Sequence, residues 1–211
     1  MKDHIALLIE RIPALAVCRA DIERATDLLY NCYKNKGTIL ICGNGGSAAD
    51  SEHISGELLK GFLMRRTPDD ATIERIGAHL GSCEMAAKLQ GGIPAIPLTS
   101  LTSVLSAFAN DVDPELVFGQ LVYAFGREND AFLGLSTSGN SKNVVVAAQI
   151  AKAIGIPAIA MTGENGGKLK DVCDVTIKVP ACETYQVQEY HLPVYHAICA
   201  ELEERIFGSC K

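Results

Sequence analysis

The chain of 211 residues lacks the marks of several protein classes. Its eight cysteines include no Cys-x-x-Cys pair, so neither a zinc finger nor a redox dithiol is spelled out. Cys18, Cys32, Cys42, Cys83, Cys173, Cys182, Cys199 and Cys210 mostly sit among apolar residues, where a free thiol behaves as a small hydrophobe. Positive charge is not in excess. The net charge of −6 argues against nucleic acid as a partner, because binding a phosphate backbone needs clustered Lys and Arg. No apolar run reaches membrane-spanning length, and Met1-Lys-Asp-His4 breaks into charge at once. No membrane span and no signal peptide are therefore expected, and the chain reads as cytoplasmic. Internal repeats, low-complexity tracts and an interdomain linker are also missing.

What remains is globular: 48% of residues are hydrophobic and 21% charged, enough to build a core in a single domain over residues 1–211. Short apolar segments alternate with helical patterns. Strands are expected at 37–42, 93–98, 131–135, 157–161 and 174–179, and the closing helix at about 185–207. That alternation, with Gly-rich turns, predicts an α/β fold: a doubly wound five-stranded parallel sheet with helices on both faces. Two helices over residues 3–34 precede it, and such helices often bundle with a partner subunit. Residues 67–92 form a charged, mostly helical insertion, with Arg75, His79, Glu84 and Lys88 on one amphipathic helix. It is either a surface or oligomer-contact helix or a lid over the site.

Three segments carry chemistry. The first is Cys42-Gly-Asn-Gly-Gly-Ser-Ala-Ala-Asp-Ser-Glu-His-Ile-Ser-Gly-Glu57, directly after the first strand. Asn44, Gly45 and Gly46 permit a tight turn, Ser47 can cap the following helix, and free N–H groups there attract an anionic or polyhydroxylated ligand. His53 and Glu57 stand at i and i+4, on one helix face. The second is Leu133-Gly-Leu-Ser-Thr-Ser-Gly-Asn-Ser141, whose hydroxyls and helix-start N–H groups suit a phosphate. Taken alone it is also an ordinary Ser/Gly capping loop; two such turns after two parallel strands point to one ligand crevice. The third lies on the final helix, where Gln188 and His196 fall near one face with His191 close by. Taken without other information, both histidines read sooner as structural, since helix histidines often pack or face solvent. Pro193 should weaken or kink this helix, since it lacks an N–H.

Leu133–Ser141 resembles the phosphosugar-binding signature of the sugar isomerase (SIS) domain, a flavodoxin-like fold. Cys42–Asp50 with His53 and Glu57 is similar to the matching segment of the phosphoheptose isomerase branch, and Gln188 and His196 match its Gln/His pair eight residues apart. The likeness covers nearly the whole chain apart from residues 67–92. It implies an aldose–ketose isomerase acting through an enediol, converting sedoheptulose 7-phosphate to D-glycero-D-manno-heptose 7-phosphate. Glu57 and His196 are the implied acid/base pair. Ser136, Thr137, Ser138 and Ser141 would hold the phosphate, while Asn44, Gly45, Ser47, Asp111 and Gln188 would contact the sugar. The rival reading of Asp111 is a helix-capping residue. His53, Glu57, Gln188 and His196 would converge and hold zinc, as in some members, in a homotetramer whose sites are shared between subunits. Two departures stand out: Gly61 occupies the place of a family arginine, for which Lys60, Arg65 or Arg66 would compensate, and residues 67–92 replace a short connection. The alternatives are a non-catalytic scaffold of the replication-initiator-associating type, a sugar-phosphate sensor, or an isomerase of another sugar phosphate.

Overall fold

In the computed structural model, which describes residues 2–208, five parallel strands form one sheet. β1 (Ile39–Cys42), β2 (Ala95–Pro97), β3 (Ala131–Leu135), β4 (Ala158–Thr162) and β5 (Val175–Lys178) lie in the order β2-β1-β3-β4-β5. All five expected strands are present. β1 and β3 are buried along their whole length, because both faces are covered. Ile39 and Ile41 join one apolar cluster with Leu133 and Met161, while Leu40 and Cys42 join the other with Phe132 and Ala160. This is why these strands read as continuous apolar runs rather than alternating ones.

On the first face lie α1 (His4–Arg11), α2 (Arg19–Lys34), α3 (Gly46–Leu59) and α10 (Thr184–Phe207). The expected N-terminal helix pair is α1 and α2, joined by a tight 3-10 turn at Pro13–Cys18. Its apolar side (Ile5, Leu8, Ile22, Ala25, Leu29) is spent within the chain. On the opposite face lie α6 (Thr102–Asp111), α7 (Val117–Phe125), α8 (Lys142–Ala153) and α9 (Leu169–Val172). The connections leaving β1 and β3 diverge from this strand order, so a crevice opens between their carboxyl ends.

The insertion corrects the expectation of one amphipathic helix. It contains two, α4 (Asp70–Leu80) and α5 (Cys83–Ala86), broken at Gly81, whose φ of +69° is left-handed. Asp69 caps α4 by accepting from the Thr72 N–H (2.7 Å), and the Ser82 hydroxyl accepts from the Met85 N–H (3.2 Å). Arg75 and His79 therefore ride on α4, and Glu84 on α5. The weakness expected at Pro193 does not end α10, which runs through it. Cys18, Cys32, Cys42 and Cys199 are buried, Cys173 is half-buried, and Cys83 and Cys182 are exposed. All seven are free thiols, and Cys210 lies outside the described residues. Among the described residues, no helix is long and apolar enough to cross a membrane.

Candidate active site

β1 delivers the chain to Gly43–Gly45 at the carboxyl edge of the sheet, and α3 leaves from there. Gly45 takes φ +55° and ψ −122° just before the first helical residue, a conformation that favours glycine. Ser47 is not the cap: it is the second residue of α3, it is buried, and no side chain caps this helix. Its N–H instead donates to the Asn44 carbonyl (3.0 Å). The missing Cβ of Gly46 makes room for Gln188, whose Nε2 would lie 2.5 Å from such an atom. α10 thus packs against the start of α3 through that amide.

The serine loop closes β3 in the same region. The Ser136 hydroxyl is buried and donates to Ser141 Oγ (2.9 Å), and Ser136 Oγ in turn accepts from the Ser141 N–H (3.4 Å). Gly139, at φ +67°, lies so close to Gly166 that a Cβ would meet its carbonyl at 2.1 Å. Ser138 is exposed, Thr137 is half-buried, and Ser141 stands immediately before α8. The hydroxyls therefore ring the positive end of α8. A residue missed in the sequence joins the two turns: Asn143 exchanges amide hydrogen bonds with Asn44 at 2.9 and 3.0 Å. Glycine turn and serine loop therefore border one crevice, as the strand order requires.

Deeper along α3, His53 Nε2 lies 3.2 Å from Glu57 Oε1 and 3.4 Å from His196 Nε2. The two imidazoles meet edge-on with ring centroids 5.0 Å apart. Desolvation pushes the Glu57 carboxyl up, but the Lys60 ammonium, 2.9 Å from Oε2, holds it below its ordinary value overall. Desolvation, then the neighbouring His53, holds the His196 imidazole below its ordinary value. Around neutral pH the site therefore offers a carboxylate and a neutral imidazole, a pair able to accept and return protons. An open groove of about 590 Å³ between α1, α10 and Phe62–Leu63 adjoins it, with His196 in its wall.

Other expected residues lie differently. Asp111 is exposed at the end of α6, where Oδ1 accepts from Asn110 Nδ2 (2.9 Å). The carboxylate that holds the next turn is that of Asp113, which accepts from the Glu115 N–H (2.7 Å). His191 is fully buried, burial holds its pKa down at about 4, and neither ring nitrogen has a hydrogen-bond partner. It is a neutral core residue. Arg66 does not replace the missing arginine: it is buried and paired with Glu203 (2.8 Å). Arg65 donates to the Ala87 carbonyl of the insertion (3.0 Å), and Lys60 is committed to Glu57.

His53, Glu57 and His196 are of the right chemical kind for zinc. Among the described residues, however, no three His, Cys, Asp or Glu side chains are arranged to hold an ion. Gln188 shares no hydrogen bond with the other three and lies over Gly46.

The SIS domain family matches residues 3–89 and 75–163. The phosphoheptose isomerase of Aneurinibacillus thermoaerophilus is 40% identical over 88% of the chain and 82% of its own length. That of Akkermansia muciniphila is 34% identical over 99% and 97%. Among solved structures, the phosphoheptose isomerase GmhA from Neisseria gonorrhoeae superposes with a TM-score of 0.72 at 34% identity, covering 94% of this chain and 95% of that one. A phosphoheptose isomerase from Francisella tularensis reaches 0.76 at 27% identity, covering 92% and 91%.

Proposed function

We propose, on the premise that the chain belongs to the SIS-domain phosphoheptose isomerase family and is a sugar-phosphate isomerase, that it interconverts sedoheptulose 7-phosphate and D-glycero-D-manno-heptose 7-phosphate through an enediol. One observation carries the reading: Glu57 and His196 converge on His53 beside a hydroxyl-lined helix start. The phosphate sits on Ser136, Ser138 and Ser141 at the positive end of α8, with Thr137 supporting the loop. Asn44, Gly45, Ser47 and Gln188 border the sugar chain, with Asp111 orienting a hydroxyl from α6. The Glu57 carboxylate removes the proton from the carbon next to the carbonyl and returns it to the adjacent carbon. His196 moves the proton between the two oxygens, so that the enediol forms and collapses without a free charge.

Two further parts of the proposal are separable from this chemistry. Zinc on His53, Glu57, Gln188 and His196 is one of them, and no step above runs through it. Elemental analysis of protein purified without chelator checks it. A homotetramer with shared sites would bring a partner subunit to the open groove that reaches His196, and a solution mass checks it.

The test is NMR-detected ketose–aldose exchange over heptose, hexose and pentose phosphates. The heptose 7-phosphate should turn over fastest, and Glu57→Gln should lower kcat roughly 10²–10⁴-fold. Undiminished turnover in that variant would remove Glu57 as the base, and preference for a shorter sugar would overturn the substrate.

A further inference from the structure

α1 and α10 pack against each other in a fixed register. The His4 N–H donates to Glu201 Oε2 (2.9 Å) at one end, and Ile12 shares a pocket with Gln186 and Tyr190 at the other. Along α1, His4, Leu7 and Arg11 stand at i, i+3 and i+7, on one helix face. Along α10, Pro193, His196 and Ala200 repeat that spacing. These two faces are walls of the open groove of about 590 Å³. His4 lies at the Glu201 end, so Arg11 lies at the other, beside the turn of α10 that carries Pro193 and His196.

Among the described residues, Arg11 is the one Lys or Arg lining this groove, and its guanidinium makes no hydrogen bond and no ion pair. Glu10 also borders the groove, but adjacent residues on a helix do not face each other. The cations nearer to Glu57 in the chain are engaged: Lys60 with Glu57 itself, Arg65 with the Ala87 carbonyl, Arg66 with Glu203. A basic residue in the last turn also suits the negative end of α1, a role that lysine fills as well as arginine. What lysine lacks is a planar fork of donors able to span two oxygens at once.

We propose that Arg11 is a further substrate-binding residue, whose guanidinium holds the two oxygens at the reacting end of the sugar phosphate. The inference rests on the reading of Glu57 and His196 as base and acid, and it names a third group for the same oxygens. With the phosphate on the serine loop, the end that reaches Glu57 and His196 is the one bearing C1 and C2. As the Glu57 carboxylate takes the carbon-bound proton, the electron pair of that C–H bond forms the C1–C2 double bond. The carbonyl π pair moves onto its oxygen, which stays negative until His196 brings a proton. The two oxygens of a cis enediol are coplanar, the arrangement a guanidinium fork matches. A fixed positive charge there favours the transition state over the bound sugar, because the charge it meets develops only as the proton leaves.

The experiment compares Arg11→Gln and Arg11→Lys with the wild type in the full chain. Turnover is followed by NMR-detected exchange of the heptose 7-phosphate, binding of inorganic phosphate by calorimetry, and assembly by solution mass. Arg11→Gln should lower kcat about 10²-fold, with the affinity for inorganic phosphate and the mass unchanged. Arg11→Lys keeps the charge and the helix-end role without the fork, and its kcat should fall between the two. Undiminished kcat in Arg11→Gln overturns the proposal, and full turnover in Arg11→Lys does so too, by leaving only the charge. Weakened binding of inorganic phosphate would put Arg11 on the phosphate, and a changed mass would put it in a subunit contact; either overturns the proposal. Should Glu57→Gln stay active, or a shorter sugar turn over faster, the reading of the site falls. Arg11→Gln is then still judged against the wild type on whichever sugar phosphate turns over fastest.

Discussion

Two ion pairs bracket the end of α3, and they serve opposite purposes. Lys60–Glu57 is open to solvent on the lysine side, with the Lys60 side chain 60% exposed. Arg66–Glu203 is wholly excluded from solvent on both sides. The Glu203 carboxylate accepts from the Phe62, Leu63 and Met64 N–H groups as well as from Arg66 Nε, at 2.7–3.2 Å. The guanidinium donates to the Leu58 carbonyl (2.6 Å) and the Glu57 carbonyl (3.1 Å), and stacks 4.9 Å from the Phe207 ring centre. Arg66 therefore fills the role of a C-cap for α3, satisfying carbonyls that the helix leaves free. One pair holds the backbone of Glu57, and the other touches its carboxylate. A charge with every lone pair and N–H engaged is architecture, whereas a charge shared with solvent is free to work.

The largest effect should come from breaking the buried pair. Arg66→Met leaves the Glu203 charge buried without its counter-charge and the Leu58 and Glu57 carbonyls at the end of α3 without their donor. A loss of about 3–5 kcal/mol is expected, seen as a fall in Tm of roughly 10 °C or more. Glu203→Gln should lose less, since the amide still accepts through its oxygen. Thermal denaturation of the two variants checks the order, and a Tm unchanged in Arg66→Met would show that the clamp is ornamental. Turnover should fall with stability, because Glu57 depends on the carbonyls that Arg66 grips.

Arg66 also marks where sequence reading runs out. All five strands and the crevice followed from local pattern, because β1 and β3 are apolar throughout and glycine turns punctuate them. His53 and Glu57 were legible from a spacing of four. Long-range partners were not: Asn143 faces Asn44 across 99 positions and Arg66 faces Glu203 across 137. An arginine in a charged stretch reads as exposed, and nothing local says that a glutamate lies ready to bury it. The break at Gly81 was the one local signal passed over in the insertion, a glycine placed where a left-handed C-cap ends α4.

An uncharged tie sharpens the contrast. Asn143→Ala removes both amide bonds to Asn44 without stranding a charge, and both residues are reachable by water. The expected cost is about 1 kcal/mol, so Tm should fall by only a few degrees. KM for the sugar phosphate should rise several-fold, because the glycine turn would no longer be registered against the serine loop. A drop in Tm as large as that of Arg66→Met would mean that the crevice itself carries the fold.

Lys60→Met should cost least in stability and still be visible in the chemistry. A pair this exposed contributes about 0–1 kcal/mol. Glu57 has its pKa held below the ordinary value in the folded protein, so the contribution is present above the unfolded carboxyl's pKa of about 4.3 and is lost as pH falls through the folded value. At neutral pH the variant should therefore unfold within about 1 kcal/mol of the wild type, and the difference should vanish in acid. Removing the ammonium takes away the main influence holding the carboxyl down, while the desolvation that pushes it up remains. The acid limb of kcat/KM should then move to higher pH, with the alkaline limb unmoved. A limb that stays in place would separate Lys60 from the base. A limb that moves shows that the solvent-facing pair sets the protonation of Glu57, while the buried pair that grips its backbone carbonyl sets only where it stands.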